Sequence, residues 1–181
     1  TTPLSGGLIF FLILIFFLPE NYKHLNILIF FIFLTGLLSD LDILHVPIIR
    51  IIFQIIIITV YLFLFDNFVT SIRVDFFDNL LNIFFVKFFF TAFCILVLIN
   101  GTNFIDGVST LVAGYFILVF SNVLYLSELR HFNLDILLVS TCLISLSVIY
   151  VFNFFGKMFL GDGGSYLISF VAGVLLINFS N

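Results

Sequence analysis

Acidic residues occur in three short polar stretches, two of them with glycines, in a chain that is otherwise almost wholly apolar. The stretches are residues 39–42, 100–107 and 161–165. We interpret each stretch as a loop at the end of a hydrophobic segment, and each contains a candidate acid: Asp40, Asp106 or Asp162. Acids and glycines gathered on one face of a membrane protein are suited to holding a metal ion or a phosphate group.

The composition indicates a membrane protein. Of 181 residues, 63% are hydrophobic and 9% are charged, whereas soluble domains have about 25% charged residues. The mean hydropathy is +1.36. The formal net charge of -4 says little, because few charged residues make it up, and no part of the chain resembles a basic nucleic-acid-binding surface. Cys94 and Cys142 lie inside apolar runs without metal-ligand spacing, so we interpret them as small buried hydrophobic residues.

Continuous hydrophobicity predicts an all-α polytopic fold, because a membrane-spanning helix needs about 20 mostly apolar residues. The seven predicted passes are residues 4–18, 25–38, 48–65, 80–99, 108–126, 134–155 and 165–179. The mixed connection 66–79 predicts an interfacial segment containing Phe68, Phe76 and Phe77. Without an internal repeat or a linker, residues 1–181 are predicted to form a single transmembrane domain.

The number of passes predicts where the polar stretches lie. Two passes separate successive stretches, so all three should lie on the same side of the membrane. Basic residues do not orient the chain, because Arg50 and Lys157 lie on that side while Lys23, Arg73 and Arg130 lie on the other. The orientation must therefore be inferred from the chemistry.

The first polar stretch follows a predicted helix C-terminus, where the helix dipole disfavours an anion. Asp40 is thus predicted to have a cation or a proton as its partner, the alternative being an ordinary solvated acid in a turn. Asp42 is predicted to be solvated. Arg50 and Gln54 share one face of the next helix. Arg50 would either hold a phosphate or extend its charged end to the membrane interface.

The second polar stretch places Asn103 and Asp106 three residues apart, with Gly107 directly before the fifth pass. The predicted helix N-terminus there would offer free N–H groups and a positive dipole end. Asn100 adds a further side-chain amide. Carboxylate and amide oxygens are ligands that Mg²⁺ prefers, although simple capping of the helix is the alternative.

The third polar stretch is rich in glycine, which lets the backbone approach a ligand closely. Ser165 is predicted to be the N-cap of the last pass. Phe159 would stack on a nucleobase or anchor the chain in the membrane interface. One such stretch is equally typical of a plain turn, whereas three on the same side favour a functional site.

The chain resembles the polyprenyl-phosphate N-acetylhexosamine-1-phosphate transferases, membrane enzymes that begin cell-wall and surface-polysaccharide synthesis. The stretches that carry the resemblance are Thr2-Pro3-Leu4-Ser5-Gly6-Gly7, Gly36-Leu37-Leu38-Ser39-Asp40 with Arg50 and Gln54, Asn100-Gly101-Thr102-Asn103-Phe104-Ile105-Asp106-Gly107, and Phe159-Leu160-Gly161-Asp162-Gly163-Gly164-Ser165. Their order and approximate spacing agree with that family. Three positions depart from its pattern. Ser39 stands where the family has the first acid of an Asp pair. Ser109 stands where the family has an Asp or Asn, and Thr110 stands where it has a Gly.

This resemblance implies a Mg²⁺-dependent transfer of a sugar-1-phosphate from a UDP-sugar to undecaprenyl phosphate, with release of UMP. The implied metal ligands are Asn103 and Asp162, the implied catalytic residues are Asp40 and Asp106, and the implied substrate-binding residues are Asn100, Gly107, Phe159, Gly161, Ser165 and Arg50. The expected location is the bacterial inner membrane with the active face in the cytoplasm, where the nucleotide sugar is made. A homodimer remains open.

Two other functional classes remain open from the sequence. An ion- or proton-coupled transporter would carry its acids near the middle of the bilayer. A catalytically degenerate relative would explain Ser39 and Ser109. Because the chain begins at Thr1 and lacks the first helix and the His-rich loop of the enzymes it resembles, we also expect a fragment that is inactive alone.

Overall fold

The computed structural model describes residues 4–108, 110–130 and 136–180. The regular structure of these residues is helical throughout, which confirms the predicted all-α class. The helices are α1 (Gly6–Phe17), α2 (Asn26–Asp40), α3 (Pro47–Phe65), α4 (Asp75–Leu81), α5 (Phe84–Ile105), α6 (Leu111–Arg130), α7 (Ile136–Phe154) and α8 (Gly161–Ser180), with a 3₁₀ turn at Glu20–Leu25.

Five helical segments in the described part of the chain are long and apolar enough to cross a membrane. They are Tyr22–Asp40, which includes α2, together with α3, α5, α7 and α8. Helix α1 and the Leu111–Ser127 part of α6 are shorter apolar helices. These seven elements correspond to the seven predicted passes, so the polytopic character is confirmed. Complete crossing by α1 and α6 stays a prediction.

Helix α8 lies at the centre of the bundle and packs against α1, α2 and α5. Its close packing depends on glycines in its neighbours. A Cβ atom at Gly36 would lie 2.5 Å from the Cα of Gly163, and one at Gly7 would lie 2.4 Å from the amide nitrogen of Gly164. Small residues at helix interfaces allow such close backbone approach in membranes. The outer faces of α3 and α5 expose many large apolar side chains, as expected for contact with lipid.

The connection between α3 and α5 contains the short helix α4. Phe76 and Phe77 are exposed on it, as an interfacial segment requires. Phe68 differs from the prediction because it is buried, and its ring packs edge-on against Phe84. The ammonium group of Lys87 lies 4.9 Å from the centre of the Phe68 ring, so this aromatic side chain anchors the connection to α5.

Candidate active site

The three polar stretches overlap helix ends, so the prediction that each is a loop was wrong in part; residues 41–42 and 106–107 are turns, whereas the other residues of the stretches are helical. Helix α2 ends at Asp40, α5 continues to Ile105, and α8 begins at Gly161. Asn100 and its neighbours suggest a helix break in the sequence. In the structure, the Asn100 Nδ2 atom donates to the Leu96 carbonyl 2.9 Å away, one turn earlier in the same helix.

The correction changes the location of the second motif. Asn103 lies in the last turn of α5 and Asp106 directly follows that helix, whereas α6 begins only at Leu111. The prediction that these residues stand at the N-terminus of the following helix was therefore wrong. Of the two helix N-termini expected at the site, the one that the structure places there belongs to α8.

Asp40 caps the N-terminus of α8. Its Oδ1 accepts a hydrogen bond from the Asp162 N–H at 2.8 Å, and its Oδ2 accepts one from the Gly163 N–H at 3.0 Å. The first N–H groups of a helix have no partner inside it, and a carboxylate there also interacts favourably with the helix dipole. The partners that the structure gives Asp40 are thus N–H groups at the positive end of another helix, and its predicted cation or proton partner stays a prediction.

Ser165 is not the N-cap of α8, as it was predicted to be, because the helix begins four residues earlier. Its hydroxyl oxygen is buried and lies 3.0 Å from Asn103 Oδ1 and 3.1 Å from the Asp162 carbonyl oxygen. Ser165 therefore connects the end of α5 to the beginning of α8, which are the two elements that carry the predicted metal ligands.

Asp162 is held from one side by two donors. Arg50 Nη1 lies 3.1 Å from Asp162 Oδ2, and the Ser39 hydroxyl donates to the same oxygen. Arg50 Nε also donates to the Leu44 carbonyl at 2.6 Å. Arg50 was predicted either to hold a phosphate or to extend to the interface. In the structure it links the α2–α3 connection to Asp162.

Asp106 has the most perturbed carboxylate outside the spanning helices. Burial first, and then the nearby charges of Asp162 and Asp40, together raise the pKa of Asp106 to about 7, although a hydrogen bond from the Gly161 N–H opposes the shift. The three acids therefore lie close enough to repel one another. An excess of negative charge of this kind favours binding of a cation.

These residues surround a cleft of about 610 Å³, which we call the acidic cleft. Its lining residues are Leu4, Asp40, Asn103, Phe104, Asp106, Gly107, Phe159, Gly161 and Asp162. The structure thus brings together all three acids from the three motifs, as the count of passes predicts. Of the other predicted site residues, Arg50 and Ser165 contact lining residues.

Asn100 is the predicted site residue that the structure places outside the acidic cleft. Its Nδ2 atom lies 2.7 Å from Gln54 Oε1, which joins α5 to α3. Gln54 is fully buried, and its Nε2 atom has no hydrogen-bond partner among the described residues. The Asn100–Gln54 pair supports the wall of the site.

Phe104 is a lining residue that the sequence analysis did not assign to the site. Its side chain is 89% exposed although it belongs to an apolar membrane helix. Phe159, the aromatic residue that was predicted, lines the same cleft and is partly buried. The sequence could have indicated Phe104 as a site residue, since it is the aromatic residue inside the Asn-Gly-Thr-Asn-Phe-Ile-Asp-Gly motif.

The donor set of the acidic cleft fits Mg²⁺, which takes oxygen ligands and usually keeps several waters or substrate phosphates in its shell. Asn103 supplies an amide oxygen, and Asp162 supplies a carboxylate oxygen, since both hydrogen bonds to the Asp162 side chain are accepted by Oδ2. Within the described ranges, no group of three His, Cys, Asp or Glu side chains is arranged to hold a metal. The amide and carboxylate oxygens of the cleft are nevertheless the kind of donor that a hard cation takes.

Comparison with known proteins adds an independent observation. The family model of glycosyl transferase family 4 matches residues 22–180. The chain belongs to glycosyl transferase family 4. The match includes every residue that lines the acidic cleft except Leu4. Searches of curated proteins and of solved structures found no match. Membership in family 4 indicates a membrane transferase that moves a sugar phosphate to a polyprenyl phosphate.

Proposed function

We propose that this family 4 protein transfers an N-acetylhexosamine-1-phosphate from a UDP-sugar to undecaprenyl phosphate and releases UMP. The observation that carries the proposal is the convergence of Asp40, Asn103, Asp106 and Asp162 on one cleft at the ends of membrane helices. A soluble nucleotide sugar would enter such a cleft from water. A lipid phosphate would reach it from the bilayer.

The reaction brings together two anions, the lipid phosphate and the diphosphate of the nucleotide sugar. We assign Asn103 and Asp162 as the residues that hold Mg²⁺, which would offset the charge of the diphosphate. Among the three acids of the cleft, Asp106 has the fewest hydrogen bonds from the described residues, with the Gly161 N–H as the donor to its carboxylate. We therefore assign Asp106 to accept a proton from the acceptor phosphate.

Asp40 receives a different role from the one that the sequence predicted. Both of its carboxylate oxygens accept hydrogen bonds from backbone N–H groups of α8. We propose that Asp40 fixes the start of α8, and with it the position of Asp162, and does not act as a base. Gly161 precedes Asp162 in the left-handed conformation, with φ +74°, and its Cβ position would lie 2.8 Å from Asp40 Oδ2.

Two aromatic side chains are available for the uracil base. Phe104 and Phe159 both line the acidic cleft, and the Phe159 carbonyl accepts the Gly6 N–H at 3.0 Å. The Leu160 carbonyl accepts the Gly7 N–H in the same way. The start of α1 thus holds the segment that carries Phe159, and we propose that the base stacks on one of these rings.

The lipid chain of the acceptor needs an apolar path. A groove of about 320 Å³ between α5 and α8 is lined mainly by apolar side chains, including Phe90, Ile95, Leu98 and Leu176. The same two helices carry Asn103 and Asp162 at their other ends. We propose that a part of the polyprenyl chain further from its phosphate lies in this groove between α5 and α8.

The proposal places the acidic cleft at the cytoplasmic face of a bacterial inner membrane, because UDP-sugars are made in the cytoplasm. An ion-coupled transporter is less well supported. Its acids would lie near the middle of the bilayer, whereas Asp40 ends α2, Asp106 follows α5 and Asp162 begins α8.

The decisive experiment uses the protein as the cell makes it, purified in detergent, with undecaprenyl phosphate and a panel of UDP-sugars. We expect UMP release that requires the lipid phosphate and Mg²⁺, and that stops when EDTA is added and resumes with excess Mg²⁺. Activity undiminished by EDTA would contradict the metal assignment. No UMP release with any sugar from a folded preparation would contradict the proposed reaction.

A further inference from the structure

The Ser39 hydroxyl makes an unusual contact for a helical serine. Ser39 is 5% exposed and lies in the last turn of α2, yet its hydroxyl donates to Asp162 Oδ2, 123 residues further along the chain. Serine and threonine hydroxyls inside helices commonly donate to a carbonyl one turn earlier. Thr35, one turn before Ser39 and equally buried, does this with the Ile32 carbonyl at 2.7 Å.

Two donors meet on the same carboxylate oxygen. Arg50 Nη1 reaches Asp162 Oδ2 from α3, and the Ser39 hydroxyl reaches it from α2. The backbone N–H of Asp162 is fixed at the same time by Asp40. The side chain of Asp162 is thus restrained at both ends, and Oδ1 is the oxygen that these contacts leave for a ligand.

We propose that Ser39 is a positioning residue that, together with Arg50, holds Asp162 so that Oδ1 binds the divalent cation. This inference rests on the proposed function, which assigns Asp162 to the metal. The hydroxyl supplies a hydrogen bond without adding a charge, so Asp162 is oriented and the cleft gains no further repulsion between acids. Groups that orient a metal ligand typically change metal affinity by about ten- to a hundredfold when removed.

The test measures cation binding directly, without substrates. The protein as the cell makes it, purified in detergent, is titrated with Mn²⁺, an EPR-visible substitute for Mg²⁺, and free Mn²⁺ is quantified. We expect Ser39→Ala to weaken Mn²⁺ binding about tenfold. Ser39→Cys keeps the side-chain size but donates only weakly, so it should also weaken binding. Ser39→Thr restores the hydroxyl and should bind nearly as the wild type does.

Thr35→Ala is the matched control, because it removes a buried hydroxyl from the same helix one turn away. It should leave Mn²⁺ binding unchanged. A second control combines Ser39→Ala with Asp162→Asn, which should bind no more weakly than Asp162→Asn alone. Thermal unfolding without cation shows whether each variant is folded. Wild-type binding by Ser39→Ala, or an equal loss in Thr35→Ala, would overturn the proposal.

UMP release in the same preparations separates this inference from the proposed function. If the wild type binds Mn²⁺ in a manner that depends on Ser39 but transfers none of the sugars, the proposed reaction fails and the role of Ser39 stands. If the wild type is active and Ser39→Ala binds Mn²⁺ normally, the role of Ser39 fails alone. A wild type that binds no Mn²⁺ contradicts both.

Discussion

The three acids of the cleft have different surroundings, although the sequence presents them alike. Asp40 has both oxygens bonded to the start of α8. One carboxylate oxygen of Asp162 accepts hydrogen bonds from Ser39 and Arg50. The Asp106 carboxylate accepts a hydrogen bond from the Gly161 N–H. Asp40 and Asp162 each have two donors, but those of Asp40 are divided over both oxygens and those of Asp162 share Oδ2. This distribution of donors is the basis of the structural role that we propose for Asp40 and of the cation-binding role that we propose for Asp162.

Asp162→Asn should reduce transfer far more than Asp42→Asn. Removing the Asp162 charge weakens both cation binding and transition-state stabilisation, so we expect a loss of about a hundredfold, on the order of 3 kcal/mol. Asp42 is exposed between α2 and α3 with φ +55°, a conformation that Asn tolerates well. UMP release at saturating Mg²⁺ measures both variants, and equal losses would mean that the metal site is wrongly placed.

Thr110 is a β-branched residue in the left-handed conformation, with φ +67°. Glycine adopts this conformation without steric cost, whereas a β-branched residue is strained there. We expect Thr110→Gly to stabilise the protein by about 1 kcal/mol, or roughly 2–4 °C in Tm. Thermal unfolding in detergent measures the change. Thr110→Ala keeps the Cβ atom and should therefore gain much less stability. If Thr110→Gly has a Tm no higher than that of Thr110→Ala, the backbone at Thr110 is not strained as we infer.

At the scale of the helices, the sequence predicted which segments cross the membrane but not where helices end near the site. Hydrophobicity locates the passes, because burial in lipid depends on composition. Gly161 and Asn100 look like helix breakers locally. Tertiary contacts override that preference, since Asp40 caps α8 and Gly36 gives α8 room to pack. Neither contact leaves a signal in the local sequence.

Gly36→Ala should separate α2 from α8 and damage the site. The new Cβ atom would lie 2.5 Å from the Asp162 carbonyl oxygen, so the helices must move apart. We expect a loss of about 1–3 kcal/mol in the free energy of unfolding and a marked loss of transfer. Thermal unfolding and UMP release measure the two effects.

Gly101→Ala is the control for this change. Gly101 is also helical, but a Cβ atom there would meet nothing within 4 Å. Alanine favours the helix over glycine by up to about 1 kcal/mol, so this variant should be as stable as the wild type or more so. If Gly101→Ala destabilises as much as Gly36→Ala, helix packing against α8 is not the cause.

At the scale of the whole molecule, the alternation of helices predicts two faces. The connections containing Asp42 and Lys157 should share the face of the acidic cleft, and the connection containing Arg73 should lie on the other. All three side chains are exposed. The sequence predicted this arrangement by counting passes, but it could not orient it, since its few basic residues are spread over both sides.

Cysteine labelling tests these two faces. In a background without Cys94 and Cys142, we expect Asp42→Cys and Lys157→Cys to react with an impermeant thiol reagent from the cytoplasmic side. Arg73→Cys should react from the opposite side. Labelling of residues 42 and 157 from opposite sides would contradict the arrangement of passes, whereas labelling of both from outside would reverse only the proposed orientation.

The link between Asp40 and the start of α8 also bears on how the protein is made. The two partners are 122 residues apart in the sequence. The Gly6 and Gly7 N–H groups likewise donate to carbonyls far along the chain, at residues 159 and 160. During synthesis, the first two helices enter the membrane long before these partners leave the ribosome. Contacts of such long sequence separation form slowly. The acidic cleft must therefore assemble last, so a chain interrupted before α8 would insert its early helices and still have no site.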